Sequence, residues 1–168
     1  MSEIVGARVD ERLIHGQVAT AWTNHLKATR IMVIDEDVVK SSMDKQVLKM
    51  ACPANCKLSI LRPQSAVTNL ASGKYDQDRI FIVCKRPRYF LYLMEEGVHL
   101  DRIILGNMSA REDDAAMLRR SVYVTRAEAE QLARIEELGA QVFVQQTPTD
   151  KGEAYKEIVE SKGGQLWD

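Results

Sequence analysis

A histidine, two arginines and two carboxylates stand close together near the start of the chain, in the run Arg8-Val9-Asp10-Glu11-Arg12-Leu13-Ile14-His15. An imidazole can act as a covalent nucleophile. Arginine is the side chain best shaped to bind phosphate with two parallel hydrogen bonds. Gly16 and Gln17 follow directly, and a helix that begins there offers its backbone N–H groups to an anion. The run therefore predicts a histidine that carries a phosphoryl group.

Phosphoryl transfer needs in-line positioning and compensation of the charge on the transferred oxygens, and this run has residues for both tasks. Neutral His15 attacks through one ring nitrogen, while a hydrogen bond to a carbonyl or a carboxylate, with Asp10 as a candidate, fixes the other nitrogen. Arg12 is predicted to pair with the phosphoryl oxygens. Arg8 is a second candidate, although its position on a strand leaves open which face of the sheet it occupies. Both arginines can also be solvated surface charges, and the chemistry requires no metal ion.

Length and charge limit the classes of protein to which the chain can belong. Its 168 residues suit one domain, predicted to span residues 1–168. Charged residues make up 28% and nearly balance, with a formal net charge of -1. This balance disfavours nucleic-acid binding, for which a basic stripe is typical. No apolar run approaches the roughly 20 residues of a membrane span, and the first four residues do not resemble a signal peptide. Three cysteines without a secretion signal indicate reduced thiols in the cytoplasm.

Short β-rich runs alternate with amphipathic runs of helical length along the whole chain. Several strand candidates are continuously apolar, as in Ile31-Met32-Val33-Ile34, which is typical of strands covered on both faces of a parallel sheet. The pattern predicts an α/β fold with an open, mainly parallel, twisted sheet and helices on both faces, a doubly wound arrangement of about seven strands. The predicted strands are Glu3–Val9, Arg30–Ile34, Lys57–Leu61, Arg79–Cys84, Arg102–Leu105, Ser121–Val124 and Gln141–Gln145.

Capping residues predict where the helices begin and end. A start is signalled by proline at the first helical position, or by Thr or Asp followed three residues later by Glu, and a stop by glycine. A further helix is expected directly after His15, which places this histidine past the carboxyl end of the first strand, where ligands bind in such folds. The paired start and stop signals are Pro63 and Gly73, Pro87 and Gly97, Thr125–Glu128 and Gly139, and Asp150–Glu153 and Gly163.

The run from Arg8 to Val18 resembles the signature of the IIB subunits of the bacterial phosphoenolpyruvate-dependent sugar phosphotransferase system, mannose/fructose/sorbose class. Further matches follow in the family's order and extend the resemblance over nearly all of the chain. They are Trp22, the acidic end of the second strand at 33–38, the Gly-rich loop at 105–109 and the closing segment at 145–150.

The resemblance implies a relay in sugar uptake. A phosphohistidine on a IIA partner passes its phosphoryl group to the IIB histidine, which is His15 by its position in the motif. IIB then gives the group to a sugar translocated by the membrane subunits IIC and IID, and no cofactor is implied. The protein is expected in the cytoplasm, associated peripherally with the inner face of the cell membrane through IIC and IID. The sugar, the choice between monomer and homodimer, and the strand order stay open.

The resemblance also adds Gly106 and Asn107 of the Gly-rich loop to Arg8, Arg12, Gly16 and Gln17 as candidate phosphate-binding residues. The alternative for this loop is a turn without a role in the site. After the fourth strand, the basic residues Lys85, Arg86 and Arg88 match no family pattern; they suit either an acidic partner or a solvated helix start.

Two other functions are compatible with the fold class. A phosphoacceptor signalling domain of the receiver type would need an aspartate at the end of the third strand, where this chain has Ile60-Leu61-Arg62-Pro63. A small anion-binding or nucleotide-binding module would need a Gly-rich phosphate loop, and neither G-x-G-x-x-G nor a Walker-type Gly-Lys-Ser/Thr follows any predicted strand. Asp35, Glu36 and Asp37 resemble a Mg²⁺-binding acidic pocket, but acids at this point also suit the start of the next helix.

Overall fold

The structure, a computed structural model, describes residues 3–167. Residues 1, 2 and 168 lie outside the described part of the chain. The predicted domain includes all three, and the signal-peptide expectation concerned the first two. Strands and helices alternate along most of this part of the chain. A short 3-10 turn, Val38–Lys40, precedes the second helix. In chain order the elements are β1 (Glu3–Asp10), α1 (Gly16–Leu26), β2 (Arg30–Ile34), α2 (Ser42–Ala51), β3 (Lys57–Leu61), α3 (Pro63–Ala71), β4 (Arg79–Cys84), α4 (Pro87–Glu95), β5 (Arg102–Asn107), β6 (Ala116–Arg119), β7 (Val122–Val124), α5 (Arg126–Glu137), β8 (Gln141–Val144), β9 (Glu153–Ala154) and α6 (Tyr155–Ser161).

The main sheet has seven strands in the order β3-β2-β4-β1-β5-β8-β9. Every pair is parallel except β8 with β9, which is antiparallel. The strand that precedes the histidine motif, β1, is therefore central and pairs with β4 on one side and β5 on the other. The predicted α/β class with a mainly parallel sheet is confirmed.

Helices cover both faces of the sheet because its strands are apolar on both faces. In β2, Ile31 and Val33 pack with α1 and α2, whereas Met32 and Ile34 belong to the core beneath α3, α4, α5 and α6. All four side chains are fully buried. Among the helices of residues 3–167, none has the length and apolarity that crossing a membrane would need.

The predicted helix boundaries hold for α3, α4 and α5. The first two begin at their prolines, and a glycine in the left-handed region follows each of them, with φ of 83° at Gly73 and 96° at Gly97. In α5 the capping box is complete: the Thr125 hydroxyl accepts the Glu128 N–H, and the Glu128 carboxylate accepts the Thr125 N–H. Capping is local in sequence, so these ends could be predicted from the chain alone.

The predicted helix start at Asp150 and Glu153 is wrong. The last helix begins at Tyr155, and Glu153 instead lies in β9. Both carboxylates have other partners, since Asp150 accepts the Thr147 N–H and Glu153 forms a two-pronged ion pair with Arg119 at 2.7 and 2.9 Å. A long-range ion pair thus replaces the local cap.

The strand predicted at Ser121–Val124 exists as β7, but it lies outside the main sheet. It pairs antiparallel with β6, a strand that the sequence pattern does not predict. The hairpin is joined to the carboxyl end of β5 through Met108, whose N–H donates to Ser121 O and whose carbonyl accepts the Tyr123 N–H. The hairpin therefore stands beside the carboxyl edge of the sheet, next to the end of β1.

Candidate functional site

His15 stands just past the carboxyl end of the central strand, at the point where the chain reverses its direction of winding. The connection after β1 leaves to the face covered by α1, whereas those after β4 and β5 lead to helices on the other face. His15 is the residue before the first turn of α1, with extended backbone, and 22% of its side chain is exposed. A tight turn, in which the Leu13 N–H donates to the Asp10 carbonyl, brings it back towards β1. Crevices at such switch points are the usual ligand sites of open α/β sheets.

The carboxylate of Asp10 connects the predicted site residues. Asp10 is 0% exposed, and its Oδ2 lies 3.0 Å from Nε2 of His15. Its Oδ1 accepts the backbone N–H of Arg12 and lies 3.5 Å from the Nε of the same residue. On its other side, Nη2 of Arg8 lies 3.5 Å from Oδ2. The contact to Nε2 leaves the second ring nitrogen, Nδ1, as the one that can react.

Arg8 is buried on the α1 face of the sheet, which answers the question that the sequence left open. Only 2% of it is exposed. Its Nη1 donates to the Gln145 carbonyl at 2.8 Å, and its guanidinium lies 5.4 Å from the Trp22 ring centre. Burial lowers the pKa of Arg8, and the charge of Asp10 opposes the shift. Arg8 therefore contacts the Asp10 carboxylate from the buried side. Arg12 contacts it from the open rim, where half of the Arg12 side chain is exposed.

Gly106 and Asn107, expected in a loop, are the last two residues of β5. A Cβ on Gly106 would lie 2.2 Å from Cζ of Arg8, so the missing side chain makes room for the guanidinium. Its carbonyl accepts a hydrogen bond from the Gln146 side-chain amide. Asn107 pairs with Asp10 across the sheet, and its carbonyl accepts the Glu11 N–H. The structure places both residues beside the Arg8–Asp10 pair, and the contact of Gly106 there is with Arg8.

Gly16 and Gln17 form the exposed first turn of α1. The first N–H groups of any helix lack a partner within it, so these backbone groups face the space next to His15. Gly16 has φ of 45°, a conformation that glycine adopts without steric cost. The rim around His15 thus carries an exposed guanidinium, Arg12, and the positive end of a helix.

Glu11 has a role that the sequence analysis did not predict. Its Oε2 accepts both the N–H and the hydroxyl of Ser109, at 3.1 and 2.8 Å, and lies 3.3 Å from Nε of Arg111 and 3.7 Å from Nη2 of Arg86. Partial burial alone would raise the pKa of Glu11, but the hydrogen bonds from Ser109 and the two guanidiniums lower it below its ordinary value. The Glu11 carboxylate therefore ties the loops after β1, β4 and β5 together. The basic run after the fourth strand is the signal from which Arg86 could have been placed near the site.

Of the three acids after β2, Asp35 caps the 3-10 turn that follows. Oδ1 of Asp35 accepts the N–H groups of Asp37 and Val38, at 2.9 and 3.0 Å, at the start of the 3-10 turn. Within residues 3–167 there is no group of three or more side chains placed to hold a metal ion. The geometry thus favours the helix-start interpretation of these acids over a Mg²⁺ pocket.

His15 lies on an open rim and not in the large cavity at the opposite ends of the strands. That cavity, about 1020 Å³, opens at the amino ends of the strands and is lined by residues such as Glu3, Asp76 and His99. Neither Asp10 nor His15 lines it. A shallow, accessible histidine suits reaction with a group that another protein presents.

Fold and site together define a doubly wound α/β protein with an accessible histidine, held by a buried carboxylate at the switch point of the sheet. Residues 4–167 match the family model of the PTS system sorbose subfamily IIB component. The chain belongs to this family, whose members are components of the sugar phosphotransferase system.

Individual relatives agree with this assignment. The chain is 28% identical over 144 residues to the sorbose-specific EIIB component of Lacticaseibacillus casei, covering 86% of this chain and 87% of that one. It is 28% identical over 159 residues to the fructose-specific EIIB component of Bacillus subtilis, covering 95% and 97%. The crystal structure of the IIBSor domain of the sorbose permease from Klebsiella pneumoniae superposes with a TM-score of 0.90 at 24% identity, over 95% of this chain and 97% of that one, and shows the same fold.

The Glu11 contacts predict a pH-dependent contribution to stability. Glu11→Gln keeps the shape of the side chain but removes the charge that holds Ser109, Arg86 and Arg111. Hydrogen bonds to a charged group contribute about 1.5–3 kcal/mol, and we expect a loss of that order in the free energy of unfolding at neutral pH. Because the pKa of Glu11 is lowered in the folded state, this contribution is present above the ordinary glutamate pKa and is lost as the pH falls through the folded value. Urea unfolding of wild type and variant should therefore converge in acid, and a pH-independent difference would contradict the ion-pair role.

The contact between Gly106 and Arg8 predicts that Gly106→Ala displaces the guanidinium and disturbs the Asp10–His15 contact. Overpacking of this kind costs about 1–3 kcal/mol, so the variant should still fold. Gly6→Ala is the matched control. Gly6 lies on β1, which pairs with β5, and a Cβ there would meet side-chain carbons of Leu26 and Phe81 and not Arg8. The measurement is the ¹⁵N NMR signal of the His15 ring nitrogens, which should change in Gly106→Ala alone. Unchanged signals there would show that Arg8 does not hold Asp10 in place.

Proposed function

We propose that the protein is a phosphoryl carrier: His15 accepts a phosphoryl group from a phosphorylated IIA partner and passes it to a sugar translocated by membrane subunits IIC and IID. Residues 1–168 act in this proposal as one IIB domain. The observation that carries it is the 3.0 Å contact between His15 Nε2 and the buried carboxylate of Asp10, on a rim open to other proteins. Membership of the IIB family supports the same function.

In the proposed transfer, Nδ1 of His15 is the nucleophile. With the Nε2 proton donated to Asp10, the lone pair of the neutral ring lies on Nδ1. It attacks the phosphorus of the donor phosphohistidine; a new N–P bond forms, the old N–P bond breaks, and the donor imidazole leaves with the electron pair. The attacking ring gains positive charge as its bond forms, and the carboxylate of Asp10 stabilises this charge. Asp10 also holds the ring in the orientation that in-line attack requires.

The rim supplies the charge compensation that the transferred oxygens need. Arg12 lies next to His15 with its guanidinium half exposed, so it can turn towards a phosphoryl group without leaving a buried position. The N–H groups of Gly16 and Gln17 at the start of α1 add donors and the positive end of the helix. Arg8, held by Gln145 and Asp10, acts through Asp10 as a positioning residue, and Gly106 serves by admitting it. No residue in this scheme needs a metal ion or a cofactor.

The proposed partners follow from the family. They are a IIA phosphoryl donor, the membrane subunits IIC and IID, and the sugar that these subunits bind. The protein would then act in the cytoplasm, at the inner face of the membrane. The sorbose-specific and fructose-specific relatives are equally identical to this chain, at 28%, so similarity does not favour one of these sugars.

The direct test is phosphoryl transfer from phosphoenolpyruvate. The protein is mixed with labelled phosphoenolpyruvate, the general phosphotransferase proteins and mannose-class IIA proteins, and the labelled peptide is mapped. We expect label on His15, lost in acid and kept in alkali, as phosphohistidine requires, and no label in His15→Ala of unchanged circular dichroism. Alkali-labile label would instead indicate an acyl phosphate, and absence of label with every donor would remove the relay from consideration.

The half-exposed guanidinium of Arg12 predicts a larger effect on the transfer rate than on stability. Arg12→Ala removes charge-assisted hydrogen bonds to the phosphoryl oxygens, and transfer to His15 should slow by about tenfold to a hundredfold. Arg134→Ala is the matched control, because the Arg134 side chain is as exposed as that of Arg12 and pairs with a single carboxylate, on α5. Rapid-quench kinetics with a phosphorylated IIA protein measure the effect. Equal rates for both variants would remove Arg12 from the mechanism.

A further inference from the structure

Trp22, a buried residue in the second half of α1, makes two directional contacts. Its indole Nε1 donates to the Gln146 carbonyl at 2.9 Å. Its ring lies beneath the guanidinium of Arg8, with 5.4 Å between Cζ and the ring centre. A buried indole N–H usually finds a hydrogen-bond partner, and an aromatic face attracts a guanidinium. The proposed transfer gives neither contact a role.

Trp22 and Arg8 together hold the segment that follows β8. Arg8 Nη1 donates to the Gln145 carbonyl at 2.8 Å, and Trp22 donates to the carbonyl of the next residue, Gln146. The Gln146 side-chain amide donates in turn to the carbonyl of Gly106, the residue whose missing side chain leaves room for Arg8. Two buried donors, one on α1 and one on β1, therefore bind consecutive carbonyls, and this fixes the position of the indole ring relative to Arg8.

The orientation of the Arg8 guanidinium depends on the ring because its hydrogen bonds are few. Arg8 is 2% exposed, and its Nε has no hydrogen-bond partner within residues 3–167. Its contact with Asp10 measures 3.5 Å, which is long for a hydrogen bond. One short bond, to the Gln145 carbonyl, does not by itself define the plane of a guanidinium. The face of the Trp22 ring supplies the missing restraint.

A displacement of Arg8 would reach His15 through one oxygen atom. Oδ2 of Asp10 lies 3.5 Å from Nη2 of Arg8 and 3.0 Å from Nε2 of His15. In-line transfer is sensitive to geometry, and a misplacement of about 1 Å can cost roughly a hundredfold in rate. The contacts thus form a continuous path from Trp22 through Arg8 and Asp10 to the reacting ring.

We propose that Trp22 is a positioning residue for phosphoryl transfer: its ring, held by the Gln146 carbonyl, orients Arg8 and, through Arg8 and Asp10, the imidazole of His15. The inference rests on the proposed function and extends it to a residue about two turns along α1. Because Trp22 is 2% exposed, it acts on the transfer step and not on contact with the donor.

The second of the two tryptophans in the chain, Trp167, is the matched control. Its Nε1 donates to the Asp114 carbonyl, and Cζ of Arg126 lies 5.2 Å from its ring centre. Trp22→Phe and Trp167→Phe each keep an aromatic ring and remove one indole N–H. Urea unfolding measures how far each variant is destabilised, so that an effect on His15 can be separated from a general loss of stability.

The first measurement is phosphorylation of His15 over a range of concentrations of a phosphorylated IIA protein, together with the ¹⁵N NMR signals of the His15 ring nitrogens. In Trp22→Phe we expect kcat to fall about tenfold, KM to stay at the wild-type value and the ring signals to shift. In Trp167→Phe all three should be unchanged. A rise in KM without a fall in kcat, unchanged ring signals in Trp22→Phe, or equal effects in both variants would overturn the proposal.

A double-mutant cycle separates the path through Arg8 from an effect of the α1 backbone. Arg8→Lys keeps the charge but lacks the planar fork that contacts two acceptors at once. If Trp22 acts through Arg8, Trp22→Phe should shift the His15 signals in the wild type and cause no further shift in Arg8→Lys. Additive shifts would show that Trp22 acts through the position of the helix, and the proposal would be wrong. Should Arg8→Lys not fold, Gly106→Ala, which displaces the same guanidinium, takes its place in the cycle.

The NMR measurement needs no phosphoryl donor, so failure of this inference and failure of the proposed function are distinguishable. If no IIA protein labels the wild type at His15, the proposed function fails and Trp22 has no part in a transfer. If the wild type is labelled but the ring signals of Trp22→Phe match those of the wild type, the relay stands and the positioning role of Trp22 is wrong.

Discussion

The buried carboxylate of Asp10 is the constraint on which the rest of the site depends. An ionised carboxylate inside a protein is costly unless charged partners and hydrogen bonds surround it. Asp10 is fully buried and has three such partners, Arg8 behind it and Arg12 and His15 towards solvent. Each partner is thereby held in place by the need to compensate one charge. The position of His15 is accordingly set by the end of the most central strand, through a side chain that β4 and β5 enclose.

Burying Arg8 imposes further requirements on distant parts of the chain. Its guanidinium needs an acceptor, which is the Gln145 carbonyl after β8, and a flat surface, which the Trp22 ring on α1 provides. It also needs space, which exists because residue 106 has no side chain. The turn from β1 to His15 carries its own strain, since the buried Leu13 has φ of 60°, a conformation that is unfavourable for a bulky residue. Packing of Leu13 in the core beneath α1 offsets that cost.

Residues whose roles depend on near neighbours could be predicted from the sequence, and those whose roles depend on long-range contacts could not. Periodicity and capping locate β1 to β5 and the ends of α3 to α5, and the contact of Asp10 with His15 spans five residues. By contrast, Glu11 acts through Ser109 and Arg111, about a hundred positions away. Glu153 looks like a helix start until Arg119 pairs with it. No local pattern records such partners, because only the order of strands in the sheet brings them together.

The contrast between a buried support and an accessible histidine suits a group that passes between proteins. A reactive nitrogen deep in a pocket could not meet both a donor and an acceptor, whereas a fully solvated one would have no fixed orientation and no exclusion of water. Here the buried side chains of Asp10 and Arg8 orient the His15 ring, and they do so independently of the protein that covers the rim. The rim groups, Arg12 and the first turn of α1, are the ones exposed to each partner. In the proposed transfer, the partner that covers the rim would exclude water while the N–P bonds are exchanged.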